Sequence, residues 1–138
     1  MSEPSALVGI VVVSHSAKVA EGTVELAVQM AGSDVALLPV GGTADGNLGT
    51  DADRIGAAIA TADRGAGVVV LGDLGSAILA TEAAIETLGP RADRVRVSTG
   101  PLVEGAVVAA VQASIGQSME EVLAAADGAR NLDKGVNR

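Results

Sequence analysis

The chain contains a single histidine, His15, set between Ser14 and Ser16 directly after the apolar run Leu7–Val13. An imidazole titrates near neutral pH, so its unprotonated nitrogen is available as a nucleophile or a proton carrier. A lone histidine also has a plain reading, as a structural or surface side chain at the end of a strand. Position separates the two. If residues 7–13 form a buried strand and a helix starts near Ala17, the ring stands before a helix N-terminus. Backbone N–H groups and the helix dipole favour an anion there, so a phosphoryl group on the ring would meet the positive end of that helix. One histidine without any cysteine supplies no zinc set, so no metal is expected.

A second group of candidates lies in "LGDLGSA", Leu71–Ala77. Asp73 either caps the following helix or orients an imidazole. A carboxylate that accepts from one ring nitrogen fixes the tautomer, leaves the other nitrogen free to attack, and stabilises the charge that develops on a phosphorylated ring. Ser76 can donate to a phosphoryl oxygen or cap its helix. Between the two groups lies the glycine-rich stretch "GGTADGNLGT", Gly41–Thr50. It is a flexible loop or a lid that brings Thr50 near the phosphoryl group, with Asp51 capping the next helix. It is neither G-x-x-x-x-G-K-[ST] nor preceded by G-x-G-x-x-G after the first strand, so no nucleotide cofactor is expected. A phospho-aspartate receiver would need paired acidic residues at the end of the first strand, where Ser14-His15-Ser16 stands instead.

The elements that must position these residues follow from apolar patterning. "LVGIVVV" and "GVVVLGD" read as strands buried on both faces, "DVALLPV" as a strand with Pro39 at an edge or exit, and "DRVRVST" as a more polar fourth strand with an exposed face or edge. Helices are predicted over Ala17–Ala31, with Val19, Ala20, Thr23, Val24, Ala27 and Met30 on one stripe, from Asp51 to Asp63, and over Ala77–Leu88. A fourth begins with Pro101 as its first residue and carries Val103, Val107, Val108 and Val111. A last short helix opens with the capping box Ser118–Glu121. Alternating strands and helices around uniformly apolar strands predict an α/β fold: one doubly wound, mostly parallel sheet in flavodoxin-like order 2-1-3-4, with helices on both faces. In that order ligands bind beyond the carboxyl ends of strands 1 and 3, where Ser14–Ser16 and Gly72–Ser76 become neighbours. Residues 1–127 form the expected domain and 128–138 a flexible tail.

Composition narrows the function. The 138 residues include 49% hydrophobic and 0% aromatic side chains, enough for an aliphatic core but with no platform for base stacking. A net charge of −8 repels a phosphate backbone, so nucleic acid is not an expected partner. There is no cysteine, and no apolar run approaches the roughly 20 residues of a membrane span. The acidic start "MSEPSALVG" lacks the basic region of a signal peptide, so a cytoplasmic protein is expected.

Together, "GIVVVSHSAKVAEG", "GGTADGNLGT" and "LGDLGSA", in that order, resemble the phosphotransfer subunit of the phosphoenolpyruvate-dependent dihydroxyacetone kinase. That subunit is a relative of the mannose-type enzyme IIA domains of the sugar phosphotransferase system. The resemblance runs from about Leu7 to Gln117, and Asp-Leu-Gly-Ser-Ala favours the dihydroxyacetone branch over the Asp-x-x-Gly-Gly-Ser-Pro pattern of the sugar proteins. It implies a phosphohistidine relay on a flavodoxin-like, usually homodimeric protein. His15 would be phosphorylated by the carrier HPr, with Asp73 orienting the imidazole and Ser76 bonding the phosphoryl group. Ser14, Ser16, Thr50 and Gly75 would form the supporting loops. The phosphoryl group would pass to ADP on the nucleotide-binding subunit of the kinase. Some relatives carry HPr and enzyme I domains fused downstream; here separate carriers are expected. The alternatives are a mannose-type sugar carrier and a non-catalytic module that binds an anion on the same rim. The dimer surface is expected on the valine-rich face of the Pro101 helix or on strand 4.

Overall fold

All six residues of strand β1, Gly9–Ser14, are buried, as a strand covered on both faces must be. In the computed structural model, which describes residues 6–135, β1 pairs in parallel with β2 (Leu37–Gly41) on one side and β3 (Val68–Gly72) on the other. Strand β4 (Val95–Ser98) pairs in parallel with β3, giving the order β2-β1-β3-β4. The exposed Pro39 lies on β2 at one sheet edge, where a missing ladder donor is tolerated, and β4 forms the other edge.

The two faces of β1 divide the core. Ile10 and Val12 pack with Leu71 under α1 (Ala17–Ala31), α4 (Leu102–Ser114) and α5 (Met119–Gly128). Val11 and Val13 pack with Val70, Ile55 and Ile59 under α2 (Ala52–Ala62) and α3 (Gly75–Glu86). Ile10, Ile55, Ile59 and Leu71 are fully buried, each worth about 1.5–3 kcal/mol of transfer free energy. No helix among the described residues is long and apolar enough to cross a membrane.

Four expectations are corrected. The buried stripe of α1 is narrower than predicted: Ala20, Thr23 and Ala27 are buried, whereas Val19 and Met30 are 45% and 60% exposed. The alanine-rich face of α4 packs closely on α1, and small side chains on both helices leave the flanking residues outside. Helix α3 spans Gly75–Glu86, not Ala77–Leu88, so Gly75 and Ser76 are its first residues. Pro101 is the N-cap of α4 with an extended ψ of 141°, one position before the helix. The fourth strand starts at Val95 because Gly89–Arg94 form a 3-10 turn. The capping box of Ser118 and Glu121 is present. Of the segment expected to be a flexible tail, Gly128 closes α5 and Ala129–Asn131 form a 3-10 turn with Ala129 buried; 136–138, like 1–5, lie outside the described residues.

The ends of β4 and β1 share a device. Ser98 Oγ donates to Asp127 Oδ1 at 2.6 Å, the Thr99 N–H donates to the same oxygen at 3.1 Å, and the Gly100 N–H donates to Ser98 Oγ at 3.1 Å. This carboxylate fastens α5 to the sheet edge. Asp127→Ala removes the acceptor of two donors and is expected to lower stability by about 1–2 kcal/mol, read as a lower urea midpoint.

Candidate active site

The carboxyl ends of β1 and β3 lie side by side, and their loops bring His15, Asp73 and Ser76 together. The register between Val13 and Gly72 leaves the next residues of both strands facing each other across the rim. Asp73 Oδ1 accepts from His15 Nδ1 at 3.0 Å and from the Leu74 N–H at 2.8 Å. Its Oδ2 accepts from Ser14 Oγ at 2.7 Å and from the His15 N–H at 3.2 Å. The carboxylate therefore meets donors on both oxygens. Burial by itself would raise its pKa, but the bonds from Ser14, from the His15 ring and from the two backbone N–H groups outweigh this and hold it below the usual carboxylate value.

This arrangement decides the tautomer. An ionised carboxylate only accepts, so the proton sits on Nδ1 and the Nε2 lone pair is free. Nε2 is hydrogen-bonded to Ser76 Oγ, which donates to it. The ring is 25% exposed, reachable from solvent but held at both nitrogens.

Neither Asp73 nor Ser76 takes the capping role open to it. Asp73 does not cap α3: the N-cap residue is Leu74, which makes no side-chain capping bond, and no acidic residue lies in the first turn of α3. The backbone N–H groups of Gly75 and Ser76 make no hydrogen bond among the described residues. Ser76 likewise bonds the ring and not its own helix. Nε2 therefore meets the start of α3, where Ser76 is the second residue, while Asp73 at the end of β3 holds Nδ1. α1 begins behind the ring with its own cap, Ser16 Oγ accepting from the Val19 N–H at 3.3 Å.

The supporting residues fall into two sets. Ser14 is 1% exposed and couples the two strand ends, its Oγ donating to Asp73 and accepting from the Ser16 N–H at 3.0 Å. Gly75 opens α3 beside the ring. Thr50 makes no side-chain hydrogen bond to His15, Asp73 or Ser76 among the described residues; it leads into Asp51, which caps α2 through Asp53 and Arg54 N–H groups. The glycine loop acts through its backbone: Gly42 N–H donates to Ser14 O at 3.3 Å and Gly49 N–H to His15 O at 3.0 Å. Arg54 Nη1 fastens the root of the loop by donating to Gly41 O and Gly42 O at 3.2 and 3.1 Å. Sequence reasoning passed over Arg54. No motif marks it, and only its place in the first turn of the helix after the loop hints at the role.

A family model described as EIIA-man, PTS system fructose IIA component, matches residues 9–123. The chain is 42% identical over 118 residues to the phosphoryl donor subunit DhaM of PEP-dependent dihydroxyacetone kinase 2 from Listeria innocua, covering 85% of this chain and 94% of that one. It is 39% identical over 121 residues to the Escherichia coli DhaM phosphoryl donor subunit, of which it spans 26%. Among solved structures, EF1359, a protein of unknown function, superposes with a TM-score of 0.83 at 33% identity over 95% of this chain and 99% of that one. The phosphotransferase system component EIIA from Streptococcus agalactiae shares the fold, with a TM-score of 0.67 over 96% of this chain and 97% of that one, at 14% identity.

Proposed function

Because the chain belongs to the EIIA-man family of phosphotransferase-system components, we propose that it is the phosphohistidine carrier of a phosphoenolpyruvate-dependent dihydroxyacetone kinase. One observation carries the reading above others: the Nδ1–Asp73 bond leaves the lone pair of Nε2 at Ser76 and at the uncapped start of α3. The names of the relatives from Listeria innocua and Escherichia coli support the choice of kinase.

The donor is phospho-HPr, charged from phosphoenolpyruvate by enzyme I. Nε2 attacks the phosphorus, a P–N bond forms, and the bond to the donor nitrogen breaks with its electron pair returning to the donor ring. His15 keeps its proton on Nδ1, and Asp73 stabilises the positive charge that the phosphorylated ring acquires. The Ser76 hydroxyl turns to donate to a phosphoryl oxygen, beside the Gly75 and Ser76 N–H groups. In the second step a β-phosphate oxygen of ADP, held on the nucleotide-binding subunit, attacks the phosphorus and the pair of the P–N bond returns to Nε2. The resulting ATP phosphorylates dihydroxyacetone on a third subunit. The carrier domain, which α5 extends to Gly128, acts as a homodimer in the cytoplasm. Its acidic surface steers it to basic partner patches, an on-rate effect that salt weakens.

Reconstitution tests this reading. The protein, enzyme I, HPr, phosphoenolpyruvate, ADP and the two kinase subunits are expected to yield dihydroxyacetone phosphate, and His15→Ala is expected to yield none. Transfer of the label to a sugar permease component instead of the kinase would assign the chain to the sugar branch, and no label on wild-type protein would sink the relay altogether. Ser76→Ala is expected to slow labelling about tenfold, the worth of one hydrogen bond to a charged group. Single-turnover labelling reads this, and an unchanged rate would remove Ser76 from the transfer.

A further inference from the structure

A cavity of about 630 Å³ opens between the first turn of α1, the glycine loop and α2. Ser16, Lys18, Gly42, Thr43, Asn47 and Arg54 contribute to its wall, and no carboxylate does. None of its lining residues bonds the ring of His15. Among the described residues, Arg94, Arg96 and Lys134 each pair with a carboxylate. Lys18 and Arg54 have no carboxylate partner among the described residues.

Arg54 is also held in orientation. Its Nη1 is fixed by two main-chain acceptors, Gly41 O and Gly42 O, at the root of the loop that lines the cavity. Nε and Nη2 make no hydrogen bond among the described residues. A guanidinium fixed in this way offers preorganised donors to an oxyanion, and the Lys18 ammonium adds a point charge. Two cations outside any ion pair suit a doubly charged group better than a carboxylate, with Asp45, bonded to Thr43, the nearest carboxylate of the loop. The volume exceeds that of a bare phosphate and leaves room for the body of an ester, against the apolar Ala44 and Leu48.

We propose that this cavity is a phosphate-binding pocket, separate from the imidazole, which takes the phosphate end of a nucleotide or of a free phosphate ester next to His15. It needs no Walker-type motif, because the cations come from α1 and α2 and the loop supplies only the glycine wall. The loop that lines it holds the His15 and Ser14 carbonyls through Gly49 and Gly42, so an occupant would sit against the segment carrying the nucleophile.

The test is amide NMR on the isotopically labelled full chain, titrated with ADP, with inorganic phosphate, and with sodium chloride at matched ionic strength. The amides of Lys18, Gly42, Thr43 and Asn47 are expected to shift saturably with ADP and phosphate but not with chloride. Tighter binding of ADP points to a nucleotide, equal binding to a free phosphate group. Lys18→Glu, an exposed position that leaves the loop intact, is expected to weaken binding about tenfold, as loss of one charge-assisted contact does. His15→Ala is expected to bind as wild type does, so the pocket stands or falls independently of the relay. Shifts that merely follow ionic strength, or binding that Lys18→Glu leaves unchanged, would overturn the proposal.

Discussion

Asp73→Asn is expected to slow phosphorylation of His15 by about 10²–10³-fold while leaving the protein folded. The reason lies in the donor count. The carboxylate accepts from Ser14 Oγ, the His15 N–H, the His15 ring and the Leu74 N–H. An amide retains one accepting oxygen. If its NH₂ faces the ring, Nδ1 must accept, the proton moves to Nε2, and the nucleophilic lone pair is lost. If its NH₂ faces the other way, it confronts the His15 N–H and the buried Ser14 hydroxyl, and the strand ends separate. Either orientation impairs attack, and neither leaves a negative charge to stabilise the phosphorylated ring.

The same substitution has a pH signature in stability. The folded-state pKa of Asp73 lies below its unfolded value, so its contribution is full above the unfolded pKa and is lost as pH falls through the folded one. The Tm gap between wild type and Asp73→Asn is therefore expected to be widest near neutrality and to close as pH drops below about 4. A gap that is constant across this range would mean that the carboxylate is not held as an ion.

Gly41→Ala is expected to cost about 3 kcal/mol and to slow labelling at least as much as loss of Ser76. Gly41 ends β2 opposite Ser14, where a Cβ would stand 2.5 Å from both Ala17 Cα and Ser16 O. These are backbone atoms of the segment that follows His15, with no flexible side chain to give way. The change should displace the ring from Asp73 as well as the loop from Arg54. Gly22 provides the contrast: it lies inside α1 with nothing within 4 Å of an added Cβ, so Gly22→Ala is expected to stabilise by about 0.5–1 kcal/mol. Urea denaturation of the two variants should give midpoint shifts of opposite sign.

What could be read in the amino-acid sequence was whatever local chemistry writes there. The continuous valines of β1 and β3 marked a parallel sheet covered on both faces, and the flavodoxin-like order that suits such a sheet put His15 and Asp73 on one rim. The caps of Asp51 and Ser118 were legible because a cap is a contact between near neighbours in the chain. The width of the α1 stripe was not, since it depends on how closely the alanines of α4 approach. Nor was it legible that Nε2 faces α3: a ring rotated by a carboxylate 58 residues away in sequence leaves no periodic trace. Arg54 was silent for the same reason, its partners being main-chain carbonyls 12 and 13 residues earlier.

The central claim is that His15 carries the phosphoryl group on Nε2, with Nδ1 protonated against Asp73. Nitrogen–phosphorus NMR on histidine-labelled protein, charged with phosphoenolpyruvate, enzyme I and HPr, tests it most directly. The account predicts an acid-labile phosphoryl group with its phosphorus coupled to Nε2 and a proton retained on Nδ1. Phosphorus on Nδ1, or an acid-stable phosphate on Ser14, Ser16 or Ser76, would contradict it.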